Sequence, residues 1–230
     1  MKIFEELGAE FILPSEQFPE KLKYIKAFIF DWDGVFNAGV KGYNQTSLYS
    51  EVDAMGINML RFAYYLLYQE LPLTVIITGE NNHSAFQLAK REHFDAVYYH
   101  FSHKTEALAH LHKKHTIDNE QIAFIFDDIL DISLASQVAL RFLIKRKSNP
   151  LFLNYTKNNH LCDYITANES GQNAVREITE LILGQLGVYE KTISKRIAYT
   201  QEYQDYLERR KLIQTDFFTK QESTILQTDI

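Results

Sequence analysis

The stretch Ile25–Phe36, which reads IKAFIFDWDGVF, decides the fold prediction for this chain. Its apolar run 27–30 has the character of a buried strand and ends in two carboxylates, Asp31 and Asp33. Side chains two apart on an extended backbone point the same way, so both carboxylates can face one spot. Their repulsion is roughly 4 kcal/mol at an effective dielectric near 20, and a divalent cation would offset it. The alternative is a surface turn with two solvated aspartates.

The composition is that of a folded protein with one domain, or with one domain and a tail. The chain has 230 residues, of which 46% are hydrophobic, and the net charge of −6 argues against a general nucleic-acid binder. The single cysteine, Cys162, cannot form an internal disulfide, which favours a reducing, cytoplasmic location. The longest apolar runs are too short to span a bilayer, so we expect no membrane partner.

Beyond the first strand, the apolar pattern alternates between buried strands and amphipathic helices. The predicted strands are 73–77, 96–99, 121–126, 139–144 and 163–166. Two predicted helices begin at 56 and 129, and three more span 82–92, 103–115 and 172–186. This alternation predicts an α/β fold with a doubly wound, mostly parallel sheet of Rossmann type and right-handed crossovers.

Three segments are predicted along the chain: a lead-in at 1–24, the α/β domain at 25–187 and a helical C-terminal extension at 188–230. Glycines and partial alternation at 37–52 indicate a small β-hairpin flap. Residues 191–213 contain no Gly or Pro and are predicted to be helical. That helix would either dock a partner or, as we prefer, pack on its own oligomer. The polar tail past Gln214 is predicted to fray.

Polar residues follow several of these strands, where ligands bind in open α/β sheets. Besides the first acid pair they are Thr78 with Gly79, Asp127 with Asp128, and Lys104 at a helix start. One carboxylate can attack phosphorus to form an aspartyl-phosphate, and a second can protonate the leaving oxygen and then activate water. Magnesium suits Asp31 and Asp127 together with a backbone carbonyl. Lys104 and the Thr78 hydroxyl would neutralise and orient the transferring group.

Each of these residues also has a purely structural interpretation. Thr78 taken alone is an ordinary strand-end residue, and Lys104 taken alone is a surface lysine. Asp128 is suited to cap the following helix, and Asp131 on that helix would be solvated or would support the metal. The basic run 145–147 would meet an anionic substrate or, as we prefer, form a solvated loop.

Four segments resemble the four motifs of the haloacid dehalogenase (HAD) superfamily of phosphatases. They are Asp31-Trp-Asp-Gly-Val-Phe, Thr78-Gly, Lys104 and Asp127-Asp-x-x-Asp. Two further segments are similar to the capless branch that contains 3-deoxy-D-manno-octulosonate 8-phosphate (KDO 8-phosphate) phosphatase. They are Asp53-Ala-Met-Gly-Ile and Gly171-Gln-Asn-Ala-Val-Arg-Glu. The resemblance runs from about 25 to 186.

The resemblance implies hydrolysis of a small phosphorylated metabolite, such as a sugar or sugar-acid phosphate. It implies Asp31 as nucleophile, Asp33 as acid/base, and Mg²⁺ held by Asp31, Asp127 and the Asp33 carbonyl. The residues expected to bind substrate are Thr78, Gly79, Lys104 and Arg176. It also implies a homotetramer without separate cap domains, in which the hairpins at 37–52 pack together and neighbouring subunits roof one another's active sites.

The chain departs from the family pattern at 37–39, Val52, Glu80, Phe126 and Gln172. Most of these positions concern substrate contacts and loop geometry rather than phosphoryl transfer. A ring at Phe126 and an added charge at Glu80 near the phosphate leave one alternative open. That alternative is a catalytically weakened binding or regulatory module with the same fold.

Overall fold

A computed structural model describes residues 1–42, 47–222 and 224–230, which form nine strands and ten helices. The strands are β1 Glu10–Phe11, β2 Ala27–Phe30, β3 Leu73–Ile77, β4 Ala96–Tyr99, β5 Ile122–Phe126, β6 Leu140–Lys145, β7 Tyr164–Glu169, β8 Asp216–Gln221 and β9 Thr224–Thr228. The helices are α1 Lys2–Glu6, α2 Phe18–Leu22, α3 Glu51–Tyr68, α4 His83–Glu92, α5 Lys104–His115, α6 Ile132–Ala135, α7 Pro150–Asn158, α8 Ala174–Gln185, α9 Tyr189–Ile197 and α10 Gln201–Lys211.

All nine strands form one sheet in the order β1-β7-β6-β5-β2-β3-β4-β8-β9. Neighbours from β7 to β8 are parallel, and only the pairs at the two edges are antiparallel. The chain runs outward from β2 to β4, and later from β5, on the other side of β2, to β7. The order therefore reverses beside β2, which places a ligand crevice at its carboxyl end. The predicted α/β, doubly wound and mostly parallel sheet is confirmed, and the described residues form no separate cap domain.

Strands β2 and β5 are apolar throughout, as expected where helices cover both faces of the sheet. Successive β2 side chains alternate between the two faces, so Phe28 and Phe30 join one buried cluster and Ala27 and Ile29 the other. Buried residues of α3, α4, α8 and α10 complete the first cluster, and those of α5 and α6 complete the second. This two-sided burial fixes the end of β2, and with it Asp31.

The prediction of a frayed tail past Gln214 is wrong. Strand β8 pairs in parallel with β4, setting Phe217 opposite Val97 and Phe218 opposite Tyr98, and β9 folds back on β8. Both phenylalanines are buried, so apolar packing offsets the cost of ordering this polar segment. The lead-in likewise contributes β1, which pairs with β7.

The helix predicted at 191–213 is interrupted, and α9 and α10 are separate helices. Tyr199 between them has a φ of +49°, which an α-helix cannot continue through. Helix α10 packs on its own chain: the Tyr206 hydroxyl donates to the Asn58 carbonyl at 3.1 Å. Helix α7 was not predicted, and it follows the basic run 145–147.

The predicted hairpin at 37–52 falls partly outside the described residues, because 43–46 are not among them. On either side of that gap, 37–42 and 47–50 contain no strand beyond an isolated bridge at Gly42, and α3 already begins at Glu51. The hairpin itself stays a prediction. In the described part of the chain, no helix combines the length and apolar character that crossing a bilayer requires.

Candidate active site

A cavity of about 390 Å³ opens at the carboxyl ends of β2, β3 and β5. It gathers most of the residues predicted from sequence, together with several that were not. Its lining includes Asp31, Asp33, Lys41, Thr78, Gly79, Glu80, Lys104, Asp127, Asp128, Asp131 and Arg146. The prediction that these strand ends converge on one site is therefore supported by their positions.

The deepest part of the cavity is a buried triad of Asp31, Lys104 and Asp131. The Lys104 ammonium donates to Asp31 Oδ1 at 2.5 Å and also to Asp131 Oδ1. All three side chains are at least nine-tenths buried, so Lys104 is not a surface lysine. Burial opposes the charge on Lys104, but Asp131 and Asp31 overcome it and raise the pKa of Lys104. The lysine therefore stays charged beside Asp31.

Asp131 organises the loop that carries Asp127. Its Oδ1 accepts from Lys104, while its Oδ2 accepts from the main-chain amides of Asp127 at 3.5 Å and Asp128 at 3.3 Å. Asp131 is thus buried and supporting, rather than solvated. Asp128 caps the turn that follows β5 by accepting from the Ile129 amide at 2.8 Å, as its structural interpretation predicted.

Asp33 lies nearer the mouth of the cavity and is held by three donors. The Ser47 hydroxyl donates to its Oδ1 at 2.6 Å, and the Asn82 amide donates to its Oδ2 at 3.0 Å. Lys41 pairs with the same Oδ2 at 2.8 Å. Sequence reasoning missed all three donors, because they lie on two loops far apart in the chain.

Thr78 and Gly79 follow β3 on the other side of the cavity. The Thr78 hydroxyl accepts from the Asn82 amide at 3.0 Å, so one side chain, Asn82, joins Thr78 to Asp33. Gly79 has open space where a Cβ would stand. Glu80 is exposed at the cavity edge and adds a negative charge there, as the sequence suggested.

Asp127 faces Arg146 across the loop that follows β2. The Arg146 Nη2 lies 2.5 Å from Asp127 Oδ2, and Gly34 packs directly beneath the pair. A Cβ on Gly34 would lie 2.0 Å from Asp127 Oδ2 and 2.1 Å from Arg146 Nη2, so the pair fits only over a glycine. The preference for a solvated loop at 145–147 is wrong for Arg146, which lines the cavity.

The loop after β2 is held in place by residues that depart from the family pattern or lie far along the chain. Asn37 Oδ1 accepts from the Gly39 amide at 2.8 Å, and its Nδ2 donates to the Trp32 carbonyl at 3.2 Å. The Ser170 hydroxyl donates to the carbonyls of Gly34 at 2.8 Å and Asn37 at 2.9 Å. The asparagine at position 37 therefore has a clear structural role.

The acid cluster fits a divalent metal ion. Oxygens of Asp31, Asp127 and Asp131 lie within 4.8 Å of one another, and all three residues are buried. Burial, reinforced by Asp31 and Asp131, raises the pKa of Asp127, which Arg146 only partly offsets. Burial also raises the pKa of Asp31 against the opposing charge of Lys104. Asp127 Oδ2 has no well-aligned hydrogen bond among the described residues, so it has a lone pair to offer a cation.

Two residues singled out from sequence lie away from the cavity. Arg176 sits at the start of α8, where its amide donates to Asp53 Oδ1 at 2.9 Å and its guanidinium pairs with Glu180 at 2.7 Å. It does not line the cavity of its own chain. Phe126 is fully buried and stacks on Phe124, so its ring does not crowd the phosphate site. The interpretation of Phe126 as an obstacle to turnover is therefore wrong.

Comparison with solved structures finds phosphatases of one superfamily. KDO 8-phosphate phosphatase from Moraxella catarrhalis, solved with magnesium, phosphate and KDO, is 26% identical, with a TM-score of 0.65; the match covers 78% of this chain and 98% of that chain. The phosphatase of the same name from Yersinia pestis is 26% identical, with a TM-score of 0.63; coverage is 76% of this chain and 89% of that chain.

A third similarity shows the fold alone. The cobalt-bound deoxy-D-mannose-octulosonate 8-phosphate phosphatase from Haemophilus influenzae is 22% identical, with a TM-score of 0.62, and the match covers 74% of this chain and 93% of that chain. Comparison with protein-family models and with curated proteins finds no match. Together, the solved structures confirm the resemblance and the enzyme class that the sequence motifs predicted.

Proposed function

We propose that this HAD-type phosphatase hydrolyses a small phosphorylated metabolite, a sugar or sugar-acid phosphate, with Mg²⁺ and through an aspartyl-phosphate on Asp31. The observation that carries the proposal is the buried arrangement of Asp31, Lys104 and Asp127 at the end of β2. It supplies a carboxylate nucleophile, a fixed positive charge and a second metal-binding carboxylate within one cavity. The similarity to KDO 8-phosphate phosphatases supports this substrate class.

In the proposed reaction, an Asp31 carboxylate oxygen attacks phosphorus and the bond to the leaving oxygen breaks. Asp33 gives that oxygen a proton and then takes one from the water that hydrolyses the intermediate. Lys104 keeps Asp31 in place and neutralises charge on the transferring group, and Asn82 holds Asp33 and Thr78 in register. The Thr78 hydroxyl and the Gly79 amide would bind the phosphoryl oxygens.

The bound metal would be held by Asp31, Asp127 and the Asp33 main-chain carbonyl. Mg²⁺ prefers a few carboxylate oxygens together with substrate phosphate, and it neutralises negative charge on the transferring group. Asp131 would keep Asp127 in position through the amide contacts of its Oδ2. Four buried or half-buried acids line the cavity. Without a metal ion, their negative charge is balanced only by Lys104, Lys41 and Arg146 among the lining residues.

The assembly that we propose is a homotetramer of cytoplasmic location. Exposed apolar side chains on either side of residues 43–46 support an assembly, because Val40 and Leu48 are about three-quarters exposed, Val52 is also exposed, and association would bury them. A neighbouring subunit would then close the cavity, and Arg176 would contact substrate only if it reached a neighbour's site.

The test is hydrolysis of p-nitrophenyl phosphate with Mg²⁺ by the wild type and the Asp31→Asn variant. We expect the wild type to release nitrophenol and the variant to lose about 10³-fold or more in kcat, because the amide cannot attack phosphorus. Chelation with EDTA should abolish the wild-type activity and added Mg²⁺ should restore it. Equal activity of the two proteins would contradict the proposal. A panel of sugar and sugar-acid phosphates then identifies the substrate.

A further inference from the structure

The ion pair between Arg146 and Asp127 is poorly made for a purely structural contact. Arg146 Nη2 lies 2.5 Å from Asp127 Oδ2, and the Arg146 Nε is buried without a partner among the described residues. Asp127 Oδ2 also lacks a well-aligned hydrogen bond. The guanidinium is one-quarter exposed and borders the cavity.

Arg141 on strand β6 makes a fuller pair with a carboxylate than Arg146 does. Arg141 donates from Nε to Asp163 Oδ2 at 2.9 Å and from Nη2 to Asp163 Oδ1 at 2.8 Å. Its Nη1 also donates to the His160 carbonyl, so all three nitrogens are used. This bidentate geometry gives an arginine–carboxylate pair its strength, and the pair of Arg146 with Asp127 lacks it.

We propose that Arg146 holds Asp127 only while the metal is absent, and that metal binding frees its guanidinium to bind a carboxylate of the substrate. The proposal rests on the proposed function and assigns the residue that would bind the carboxylate of a sugar-acid phosphate. A metal ion on Asp127 Oδ2 and the Arg146 guanidinium would be two cations in contact with the same oxygen, so their repulsion makes the metal compete with Arg146. The released guanidinium would still lie beside the cavity. Its nitrogens would then be available to bind a ligand.

The charges around the cavity support this role for Arg146. Lys104 is committed to two buried carboxylates, and Lys41 is paired with Asp33. Once a metal takes Asp127, Arg146 is the cation of the lining that has lost its partner. A planar guanidinium with free nitrogens is suited to a carboxylate, which it can bind through two parallel hydrogen bonds.

The first test measures metal binding without turnover. Trp32, the single tryptophan, lies buried between Asp31 and Asp33, so its fluorescence should report Mg²⁺ binding. We expect Arg146→Gln to bind Mg²⁺ about fivefold more tightly than the wild type, because no ion pair has to be broken. Lys147→Gln removes the same charge one residue away, outside the cavity, and should leave the affinity unchanged. Calorimetry gives the same constants should the fluorescence stay constant.

The second test measures ligand binding in the Mg²⁺-loaded Asp33→Asn variant, whose turnover is slowed. The probes are 6-phosphogluconate and sorbitol 6-phosphate, which differ in a carboxylate against a hydroxymethyl group. We expect Arg146→Gln in that background to weaken 6-phosphogluconate binding about tenfold or more and sorbitol 6-phosphate binding little. Arg146→Lys should recover part of the loss.

These two readouts move in opposite directions, which a merely structural role for Arg146 would not produce. Weaker or unchanged Mg²⁺ binding by Arg146→Gln would overturn the release step. Equal losses for both probes would show that Arg146 binds the phosphate instead, and no loss for either would show that it does not bind substrate. Absence of hydrolysis by the wild type would refute the proposed function, yet both binding tests would still decide the role of Arg146.

Discussion

Replacing Gly34 with alanine should disable the metal site through one methyl group. Gly34 has a φ of +89°, and an added Cβ would lie 2.0 Å from Asp127 Oδ2 and 2.1 Å from Arg146 Nη2. The carboxylate must therefore retreat by about 1 Å, a displacement that costs on the order of 100-fold in rate at a catalytic centre. The left-handed backbone adds a stability cost of about 1–2 kcal/mol.

A second glycine separates these two effects. Gly187 has a φ of +68°, but nothing lies within 4 Å of the position of its Cβ. Gly187→Ala should therefore lower the free energy of unfolding by the same amount, about 1–2 kcal/mol. It should leave Mg²⁺ affinity and kcat/KM unchanged. Gly34→Ala should lose about 100-fold in kcat/KM for p-nitrophenyl phosphate and weaken Mg²⁺ binding in the same titration. Gly34→Ala with wild-type metal affinity and activity would refute the packing argument.

Three further variants test other parts of the structure. Burial raises the pKa of Asp53 to about 6, so its ionisation destabilises the folded state by up to about 3 kcal/mol at neutral pH. In urea unfolding, the stability of the wild type relative to Asp53→Asn should therefore fall as the pH rises from about 4 to 6. A difference in stability that does not depend on pH would contradict this prediction. Deleting the chain from Gln214 removes buried Phe217 and should lower stability by about 3 kcal/mol or more, whereas an unchanged melting temperature would argue against it. Asn82→Ala should lower kcat about tenfold with unchanged Mg²⁺ affinity, because it releases Asp33; a wild-type kcat would count against that positioning role.

The central strands and the convergence of the candidate site residues could be predicted because their signals are local. In the run 27–30 the side chains of both strand faces are apolar, and charged residues follow directly. This pattern is typical of a strand that is buried on both faces of a sheet. Asp31, Lys104 and Asp127 each stand at such an end or at a helix start, and parallel strands bring those ends together. Their position around one cavity could therefore be inferred before any contact was known.

The supporting contacts could not be predicted because they join loops far apart in the chain. Ser170 holds the loop of Gly34 across 136 positions, and Asn82 reaches Asp33 across 49. A serine or an asparagine in a loop does not indicate which residue it will hydrogen-bond. Arg146 lies in a basic run for which the sequence favours a solvated loop, and only the geometry shows that its guanidinium contacts Asp127.

The C-terminal strands escaped prediction for a different reason. Their segment is mostly polar, and β9 at the sheet edge exposes much of its surface, so composition alone indicated fraying. The deciding residues are Phe217 and Phe218, which are buried on opposite faces of the sheet beside β4. Tertiary pairing with β4 overrode the local pattern.

The central claim is that Asp31 is the residue that receives the phosphoryl group. Acid quenching during turnover of p-nitrophenyl phosphate with Mg²⁺, followed by borohydride reduction, converts an aspartyl-phosphate to homoserine, which peptide mass spectrometry locates. We predict homoserine at position 31, in samples that contain both Mg²⁺ and substrate, and none in the Asp31→Asn variant. Turnover at the wild-type rate with the reduced residue at another position, or at none, would contradict the account.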